Sequence, residues 1–448
     1  MTELQFPAGF RWGTATASYQ IEGGAHEDER GTTIWDTFSR TPGKVVNGDT
    51  GDVACDHYHR WKDDIQLLKA LNCTVYRLSA AWSRLFPSGR GRLNEKGVDF
   101  YSRIVDELLA NGITPYVTLY HWDLPQALQD EGGWTRRGIV DDFAAYTDAL
   151  TQTLGDRVKH WITLNEPWVF TWLGYAIGIH APGYVTTDPS VPLTAAHHAL
   201  LAHGAAVERV RANVPDAQVG ITLNLTHVDP ATARPSDLEA MTRHDGFFNR
   251  WFLDPVLRGH YPADMLAYWQ EYLPPIEPGD MAKISIPTDF LGINYYSRAV
   301  VEHNDTAPYT QAMPVRPAGE GHEYTDMGWE VYPQGLYTLL KRLHTEYHPK
   351  ALYITENGAA FPDELTPDGA IHDEARVNYL RRHFEAASHA IRDGVPLLGY
   401  FVWSFMDNFE WAEGYAKRFG ITYVDYATQR RTFKDSAKYF ASIAAQYS

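Results

Sequence analysis

Cysteine is almost absent from this sequence, with only Cys55 and Cys73 among 448 residues. A framework of several disulfides is therefore excluded, and two reduced thiols are expected. No run of about 18 apolar residues occurs, so we expect no helix that crosses a membrane. The N-terminus also lacks a basic segment followed by an apolar one, which argues against a secretory signal and favours a cytoplasmic location.

Positive charge is also scarce, because 39 Lys and Arg stand against 56 Asp and Glu, for a net charge of −17. This balance argues against nucleic acid as a partner and agrees better with a neutral small-molecule substrate than with a phosphorylated one. The charged fraction of 21% and the hydrophobic fraction of 44% are typical of a globular protein. The sequence leaves open whether the chain forms a homo-oligomer.

Strand-like and helix-like segments alternate along the whole chain. Apolar runs predict eight strands, at Phe10–Ala15, Cys73–Ser79, Ile113–Leu119, His160–Leu164, Val219–Leu225, Asp289–Tyr295, Leu352–Thr355 and Leu398–Trp403. Helical spacing of apolar residues predicts helices at 58–71, 95–110, 139–154, 193–214, 336–347, 375–392 and 433–445. The pattern predicts an α/β fold, a closed (β/α)8 TIM barrel formed by residues 1–448 as a single domain.

An open, doubly wound sheet is the alternative architecture, and it is disfavoured because no Gly-x-Gly-x-x-Gly opens a helix after a strand. Long connections rich in glycine and proline occur at 22–56, 165–192, 296–334 and 404–431. In a barrel, most of these segments extend the loops that follow the strands, and so enlarge the face where barrel enzymes carry their active sites.

Two of the predicted strands lead into glutamates. Thr163-Leu-Asn-Glu-Pro167 ends a strand near Pro167, since proline has no N–H for the sheet. Leu352-Tyr-Ile-Thr-Glu-Asn-Gly358 has the same design. Because the carboxyl ends of parallel barrel strands face one pocket, Glu166 and Glu356 are expected to meet. Such a pair suits glycoside hydrolysis, in which one carboxyl protonates the leaving oxygen and the other attacks or activates water.

Other polar and aromatic residues stand at the remaining strand ends, which is hard to explain by stability alone. Arg77 lies inside an apolar strand and needs a buried partner, for which Glu356 is the natural candidate. Tyr296 is placed to hold the same carboxylate, and Asn165 to bond the sugar 2-hydroxyl. The further strand-end residues are Gln20, His121, Asn224, Asn294, Trp403, Glu410 and Trp411.

Simpler interpretations apply to each residue alone. A glutamate after a strand is usually solvated or placed at a helix start. The pairs His121 with Asp123 and His57 with His59 resemble metal ligands, although a solvated helix face explains the second pair more simply. A barrel that binds sugar without hydrolysing it and a metal-dependent hydrolase that uses His121 and Asp123 therefore remain as alternatives.

Three long motifs in order resemble the family 1 glycoside hydrolases, and among them the bacterial β-glucosidases. The N-terminal motif is Phe10-Arg-Trp-Gly-Thr-Ala-Thr-Ala-Ser-Tyr-Gln-Ile-Glu-Gly-Gly24, and the other two are the glutamate motifs at 163–167 and 352–358. The resemblance runs from about Phe6 to Phe440. At 76–82, leucine and alanine replace the usual phenylalanine and isoleucine-serine, at positions expected to serve barrel packing.

The resemblance implies a retaining β-glucosidase that needs no cofactor and no metal, with Glu356 as nucleophile and Glu166 as acid/base. Because Glu166 and Glu410 are both present, the resemblance favours an ordinary O-glycosidase that acts on an unphosphorylated sugar. It implies a sugar subsite of Gln20, His121, Asn165, Trp403, Glu410 and Trp411. It also implies that Arg77, Tyr296 and Asn294 support the nucleophile and that Trp168, His180 and Trp329 lie on the aglycone side.

Overall fold

The computed structural model describes residues 4–317 and 319–447. Within these ranges, eight parallel strands close into a barrel in which each strand pairs with its neighbour along the chain and the last pairs with the first. The strands are Arg11–Ala15 (β1), Val75–Ser79 (β2), Thr114–Tyr120 (β3), His160–Asn165 (β4), Gln218–Asn224 (β5), Phe290–Asn294 (β6), Leu352–Asn357 (β7) and Leu397–Trp403 (β8). The predicted (β/α)8 barrel is confirmed, whereas the assignment of the whole chain to one domain stays a prediction.

Helices surround the barrel and connect its strands. The longer ones are His57–Ala70, Glu95–Ala110, Ile139–Leu154, Ser190–Asn213, Pro235–Asp245, Trp251–Arg258, Pro333–Arg342, Glu374–Arg392 and Asp435–Tyr447. Shorter ones are Ser18–Ile21, Ile34–Ser39, Trp82–Leu85, Gln126–Asp130, Ala263–Tyr268 and Asp280–Ile284, and π-helical turns occupy Val169–Ile177, Gly246–Arg250 and Leu343–Tyr347. In the described ranges, no helix combines the length and the apolar character that a membrane crossing requires.

The helix Glu95–Ala110 illustrates why these segments fold as they do. The Asn94 side chain accepts a hydrogen bond from the backbone N–H of Lys96 and caps the first turn. Apolar residues then recur every three or four positions, and the buried ones include Phe100 and Leu108. This spacing places them on one face, which packs against the barrel.

The predicted bounds of one strand and one helix were wrong. The strand expected to end at Thr355 continues to Asn357, so Glu356 lies within β7 rather than after it. The helix expected over 336–347 begins at Pro333 and changes to a π-helical turn at Leu343. The long connections at 296–334 and 404–431 also contain short strands, at Arg298–His303, Ala312–Pro314 and Thr422–Asp425. Two further short strands lie at His227–Pro230 and at Arg430–Phe433, which extends past residue 431.

The expectation that His57 and His59 lie on a solvated helix face is wrong for His57, at the start of the helix His57–Ala70. His57 does not face solvent but is 3% exposed, and its Nδ1 lies 2.8 Å from Asp64 Oδ2. Asp64 also accepts a hydrogen bond from Arg431, so the histidine belongs to a structural ion network. His59 is exposed, as expected. The two cysteines are buried free thiols.

The barrel interior is divided into an aromatic layer and a polar layer. Tyr116, Phe290 and Tyr353 come from the first halves of three different strands, and their rings contact one another with centroid separations of 5.2 to 6.4 Å. The ring of Phe401 lies 5.1 Å from that of Tyr116. Since these residues fill the amino-terminal part of the barrel, the polar side chains at the carboxyl ends line a pocket rather than a channel.

Candidate active site

Glu166 lies directly after β4 at a sharp change of backbone direction. Its φ is 49°, in the left-handed region that residues other than glycine seldom adopt. Its backbone N–H donates to the Thr222 carbonyl of β5 at 2.9 Å, which ties the turn to the neighbouring strand. The side chain is 5% exposed, and its Oε1 accepts a hydrogen bond of 2.6 Å from Asn294 Nδ2.

Glu356 on β7 has stronger partners. Arg77 Nη1 on β2 forms a buried ion pair with Oε1 at 2.6 Å, and the Tyr296 hydroxyl donates to Oε2 at the same distance. Arg77 also donates to the Thr355 carbonyl, so its guanidinium is fixed across the barrel. The ion pair that the sequence predicted for Arg77 is therefore present.

Asn165 connects the two carboxylate environments. Its Oδ1 accepts hydrogen bonds from Arg77 Nη2 at 2.7 Å and from Asn294 Nδ2 at 3.0 Å. Its Nδ2 lies 3.0 Å from His121 Nε2. An amide nitrogen can only donate, so Nε2 accepts and the imidazole proton lies on Nδ1. Buried His121 Nδ1 has no protein partner, which leaves an N–H donor available to a ligand.

The pKa values of the two glutamates are raised to different extents. Burial raises the pKa of Glu166 well above its usual value, and the charge of Glu356 adds to the rise. Burial also raises the pKa of Glu356, but there Arg77 and the Tyr296 hydrogen bond oppose the rise. Arg77 and Tyr296 thus favour the ionised form of Glu356, and a proton bound to the pair is expected on Glu166.

Burial lowers the pKa of His121 well below its usual range, with the charge of Arg77 adding to the effect, so the ring is neutral. Burial raises the pKa of Tyr296, and the charge of Glu356 raises it further, so the hydroxyl keeps its proton and acts as a donor. His121 and Tyr296 are thus neutral donors, in contrast to the charged guanidinium of Arg77.

Aromatic rings cover one side of the pocket. The ring of Trp403 lies 5.8 Å from that of His121 at an interplanar angle of 22°, and the ring of Trp411 lies 6.0 Å away at 21°. Both tryptophans are buried. A side chain on Gly358 would place its Cβ 1.6 Å from the Trp403 carbonyl oxygen, so only glycine permits this contact between the loop after β7 and the end of β8.

Gln20 and Glu410 form the polar edge beside these rings. Gln20 Nε2 donates to the Phe409 carbonyl at 2.8 Å and to Asn408 Oδ1 at 3.0 Å, and lies 3.5 Å from Glu410 Oε2. Gln20 Oε1 is buried without a protein partner. Burial raises the pKa of Glu410 to about 8, with the charge of Glu356 as the next contribution.

The three residues expected on the aglycone side lie in different places around this core. His180 contacts Trp411 and Trp35, with ring separations of 6.4 and 5.3 Å. Trp329 packs on Tyr296 at 5.3 Å. Trp168 packs on the Phe248 ring at 4.4 Å, and its buried Nε1 has no protein partner. Asn224 ends β5 beside Asn294.

Trp122 was recognised from the sequence at the end of the third strand but was given no role in the site. Its φ is 78°, and its ring lies 4.6 Å from that of Trp411. Its Nε1 donates to the Asn165 carbonyl at 2.9 Å. A positive φ is found at Trp122, Glu166 and Trp411, and residue type alone does not predict this backbone conformation. Tryptophan directly after His121 at the end of β3 was the available signal.

Irregularities in two strands set the direction of the glutamate side chains, and no residue pattern indicated them. In the pairing of β4 with β5, Ile162 faces Gly220 and Asn165 faces Thr222, so β4 contains one extra residue. In the pairing of β7 with β6, Ile354 faces Ile293 and Glu356 faces Asn294, so β7 also contains one extra residue. Bulges of this kind redirect the side chains that follow them.

Comparison with known proteins places these features in a family. The model of glycosyl hydrolase family 1 matches residues 2–448. The chain belongs to glycosyl hydrolase family 1. It is 51% identical to beta-glucosidase A of Thermotoga maritima over 445 residues, which cover 99% of this chain and 98% of the relative. It is 45% identical to a bifunctional beta-D-glucosidase/beta-D-fucosidase of Bifidobacterium breve over 99% of both chains.

Solved structures agree with this membership. The family 1 β-glucosidase of Thermotoga maritima superposes with a TM-score of 0.96 at 50% identity and covers 99% of both chains. The same enzyme in complex with glucoimidazole superposes with a TM-score of 0.95. The family resemblance seen in the sequence motifs is thus confirmed.

His121 and Asp123, considered above as metal ligands, have separate environments. Asp123 Oδ2 accepts a hydrogen bond from Ser18 Oγ at 2.8 Å, whereas His121 bonds Asn165. Across residues 4–317 and 319–447, no group of three or more histidine, cysteine, aspartate or glutamate side chains could hold a metal ion.

The ion pair generates a stability prediction. Replacing Arg77 with methionine leaves Glu356 buried without its charged partner, and we expect a loss of about 3–5 kcal/mol in the free energy of unfolding. Adding Glu356→Gln removes the uncompensated charge and should restore much of that loss. Denaturant unfolding of both variants, with Arg11→Met at the exposed first position of β1 as control, measures the effect. Equal destabilisation of the single and double variants would contradict the account.

Proposed function

We propose that the chain is a retaining β-glucosidase in which Glu356 is the nucleophile and Glu166 the acid/base. The unequal partners of the two buried carboxyls support these roles most strongly. Arg77 and Tyr296 favour an ionised Glu356, whereas Glu166 accepts its hydrogen bond from an amide and has the more strongly raised pKa. In paired carboxyls, such differences in environment separate the two pKa values, so that one group acts as acid and the other as nucleophile.

The proposed reaction has two steps. Glu356 attacks the anomeric carbon and forms a glycosyl ester while Glu166 gives its proton to the departing oxygen. The ionised Glu166 then takes a proton from water, the resulting hydroxide attacks the anomeric carbon, and the ester bond to Glu356 breaks. For this double displacement, the two carboxyl groups should lie about 5–5.5 Å apart.

Polar groups without protein partners support a sugar as the ligand of the pocket. Buried His121 Nδ1 offers a donor and buried Gln20 Oε1 an acceptor. We assign both to sugar hydroxyls, together with Glu410 and Asn165, and place the sugar ring on Trp403 with Trp411 beside it. Ring-stacking on tryptophan with hydrogen bonds at the edge is a common way for a site to hold an amphipathic ring.

The names of the relatives support the substrate class. They include beta-glucosidases and 1,4-beta-D-glucan glucohydrolases, one of which is 50% identical over 98% of both chains. We therefore propose terminal β-D-glucosyl residues of cello-oligosaccharides and of aryl and alkyl β-glucosides as substrates, and β-fucosides or β-galactosides as further ones. We place Trp168, His180 and Trp329 beside the aglycone. A cytoplasmic location and the lack of a cofactor stay predictions.

Trapping tests the nucleophile. A 2-deoxy-2-fluoro β-glucoside with a good leaving group should inactivate the enzyme by forming a stable ester, because the fluorine slows hydrolysis of the intermediate. Mass spectrometry of the digested protein should find the sugar on the peptide that contains Glu356. A label on any other residue, or complete inactivation without a label, would refute the assignment.

The pH dependence of kcat/KM tests the acid. Glu166 must carry a proton to act, so activity should fall as the pH rises through its raised pKa, and it should fall at low pH as Glu356 becomes protonated. Glu166→Ala should remove the basic limb and lower kcat about 10²- to 10⁴-fold on substrates with poor leaving groups. Glu208→Ala, on an exposed helix position, serves as control. An unchanged basic limb in Glu166→Ala would exclude Glu166 as the acid.

A further inference from the structure

A buried ion network lies beneath the loop that carries Glu410. Lys434 comes just before the C-terminal helix, and its Nζ lies 2.5 Å from Asp363 Oδ2 and 2.7 Å from Asp407 Oδ1. All three side chains have an exposed fraction of 0%. Asp363 lies in the loop after β7 and Asp407 in the loop after β8, so one ammonium group joins three separate parts of the chain.

The network extends on both sides of Lys434. Arg418 donates to Asp407 Oδ2 at 2.6 Å, and Arg376 donates to Asp363 Oδ1 at 2.9 Å and to the Arg418 carbonyl at 2.8 Å. Asp373 pairs with Arg376 and accepts a hydrogen bond from the Ser436 backbone N–H at 2.8 Å. Three cations face three anions, so the cluster is balanced in charge although it is buried.

Asp407 fixes the loop after β8 at its base. Its Oδ1 also accepts a hydrogen bond from the Gly420 backbone N–H at 3.0 Å, which draws the two ends of the loop together. A Cβ on Gly420 would lie 2.0 Å from the Asp407 nitrogen, so the approach requires glycine there. The backbone N–H of Asp407 donates to the Thr422 carbonyl at 2.9 Å.

From this base the chain reaches the sugar-binding edge within three residues. Asn408 Oδ1 and the Phe409 carbonyl accept the hydrogen bonds that hold Gln20, and Glu410 follows directly. The Phe409 backbone N–H donates to the Gln20 carbonyl at 3.1 Å. A shift of Asp407 would therefore move both Gln20 and Glu410.

We propose that Lys434, through Asp407, is a positioning residue that sets the place of Glu410 in the sugar subsite. This inference depends on the role proposed above for Glu410. Loss of the ammonium group leaves Asp363 and Asp407 buried with unbalanced charge, and the loop must move to separate them or to admit water. Displacement of hydrogen-bonding groups by a fraction of an ångström is enough to weaken transition-state binding.

A double-mutant cycle tests the inference. Lys434→Met, Glu410→Gln and the double variant are compared with the parent enzyme on 4-nitrophenyl β-glucoside, with active sites counted by the 2-fluoro reagent. Lys434→Met should lower kcat/KM by about tenfold, but by less than about twofold in the Glu410→Gln background, because coupled residues are not additive. Lys438→Met is the matched control, since Lys438 is exposed on the C-terminal helix and pairs with Asp435.

The outcomes separate this inference from the proposed function. If Lys434→Met lowers the melting temperature but leaves kcat/KM per active site unchanged while Glu410→Gln is impaired, the positioning role is overturned and the proposed function stands. Additive effects overturn it as well. If Glu410→Gln keeps the kcat/KM of the parent enzyme, both the sugar-binding role of Glu410 and the positioning role of Lys434 are overturned. Should Lys434→Met fail to fold, Arg418→Met, whose side chain is 20% exposed, must show the same loss of kcat/KM and the same coupling to Glu410→Gln, and additive effects overturn the inference.

Discussion

The buried ion pair between Arg77 and Glu356 is the interaction on which the site depends. Both side chains are at most 4% exposed, so neither charge is stabilised by bulk water. The pair is compensated by further hydrogen bonds, from Tyr296 to Glu356 and from Arg77 to Asn165. Because the charge of Arg77 is committed to Glu356, Glu166 shares a buried pocket with a neighbouring anion and is the carboxyl expected to hold a proton.

The fold makes this difference possible. Aromatic rings fill the amino-terminal part of the barrel, so polar side chains at the carboxyl ends lie above an aromatic floor. The extra residues in β4 and β7 turn Glu166 and Glu356 away from the regular alternation of those strands. The aromatic packing in the barrel and the extra residues in β4 and β7 together place Glu166 and Glu356 in different electrostatic environments.

Much of this arrangement could be predicted from the sequence. Alternation of strands and helices predicted the barrel. A carboxylate at the end of each of two strands indicated that Glu166 and Glu356 lie in one pocket. The isolated charge of Arg77 within an apolar strand required a partner and correctly suggested Glu356. These inferences succeeded because they rest on periodicity and on the high cost of burying a lone charge.

Other features depend on long-range geometry and could not be predicted. The bulge that keeps Glu356 within β7 arises from its register with β6, and no local residue pattern announces it. Trp122 enters the site through a left-handed backbone, and Lys434 meets Asp407 across 27 positions of sequence. His57, which looked like part of a solvated helix face, is buried because Arg431 and Asp64 come together only in the folded chain.

In the proposed double displacement, two carboxyls with unequal environments act in turn on the anomeric carbon and the departing oxygen. The most direct test is the configuration of the first sugar released from an aryl β-glucoside, followed by proton NMR before mutarotation equilibrates the anomers. We expect β-glucose as the first product, because the expected carboxyl separation of about 5–5.5 Å leaves no room for water to attack in a single step. Initial release of α-glucose would contradict the account.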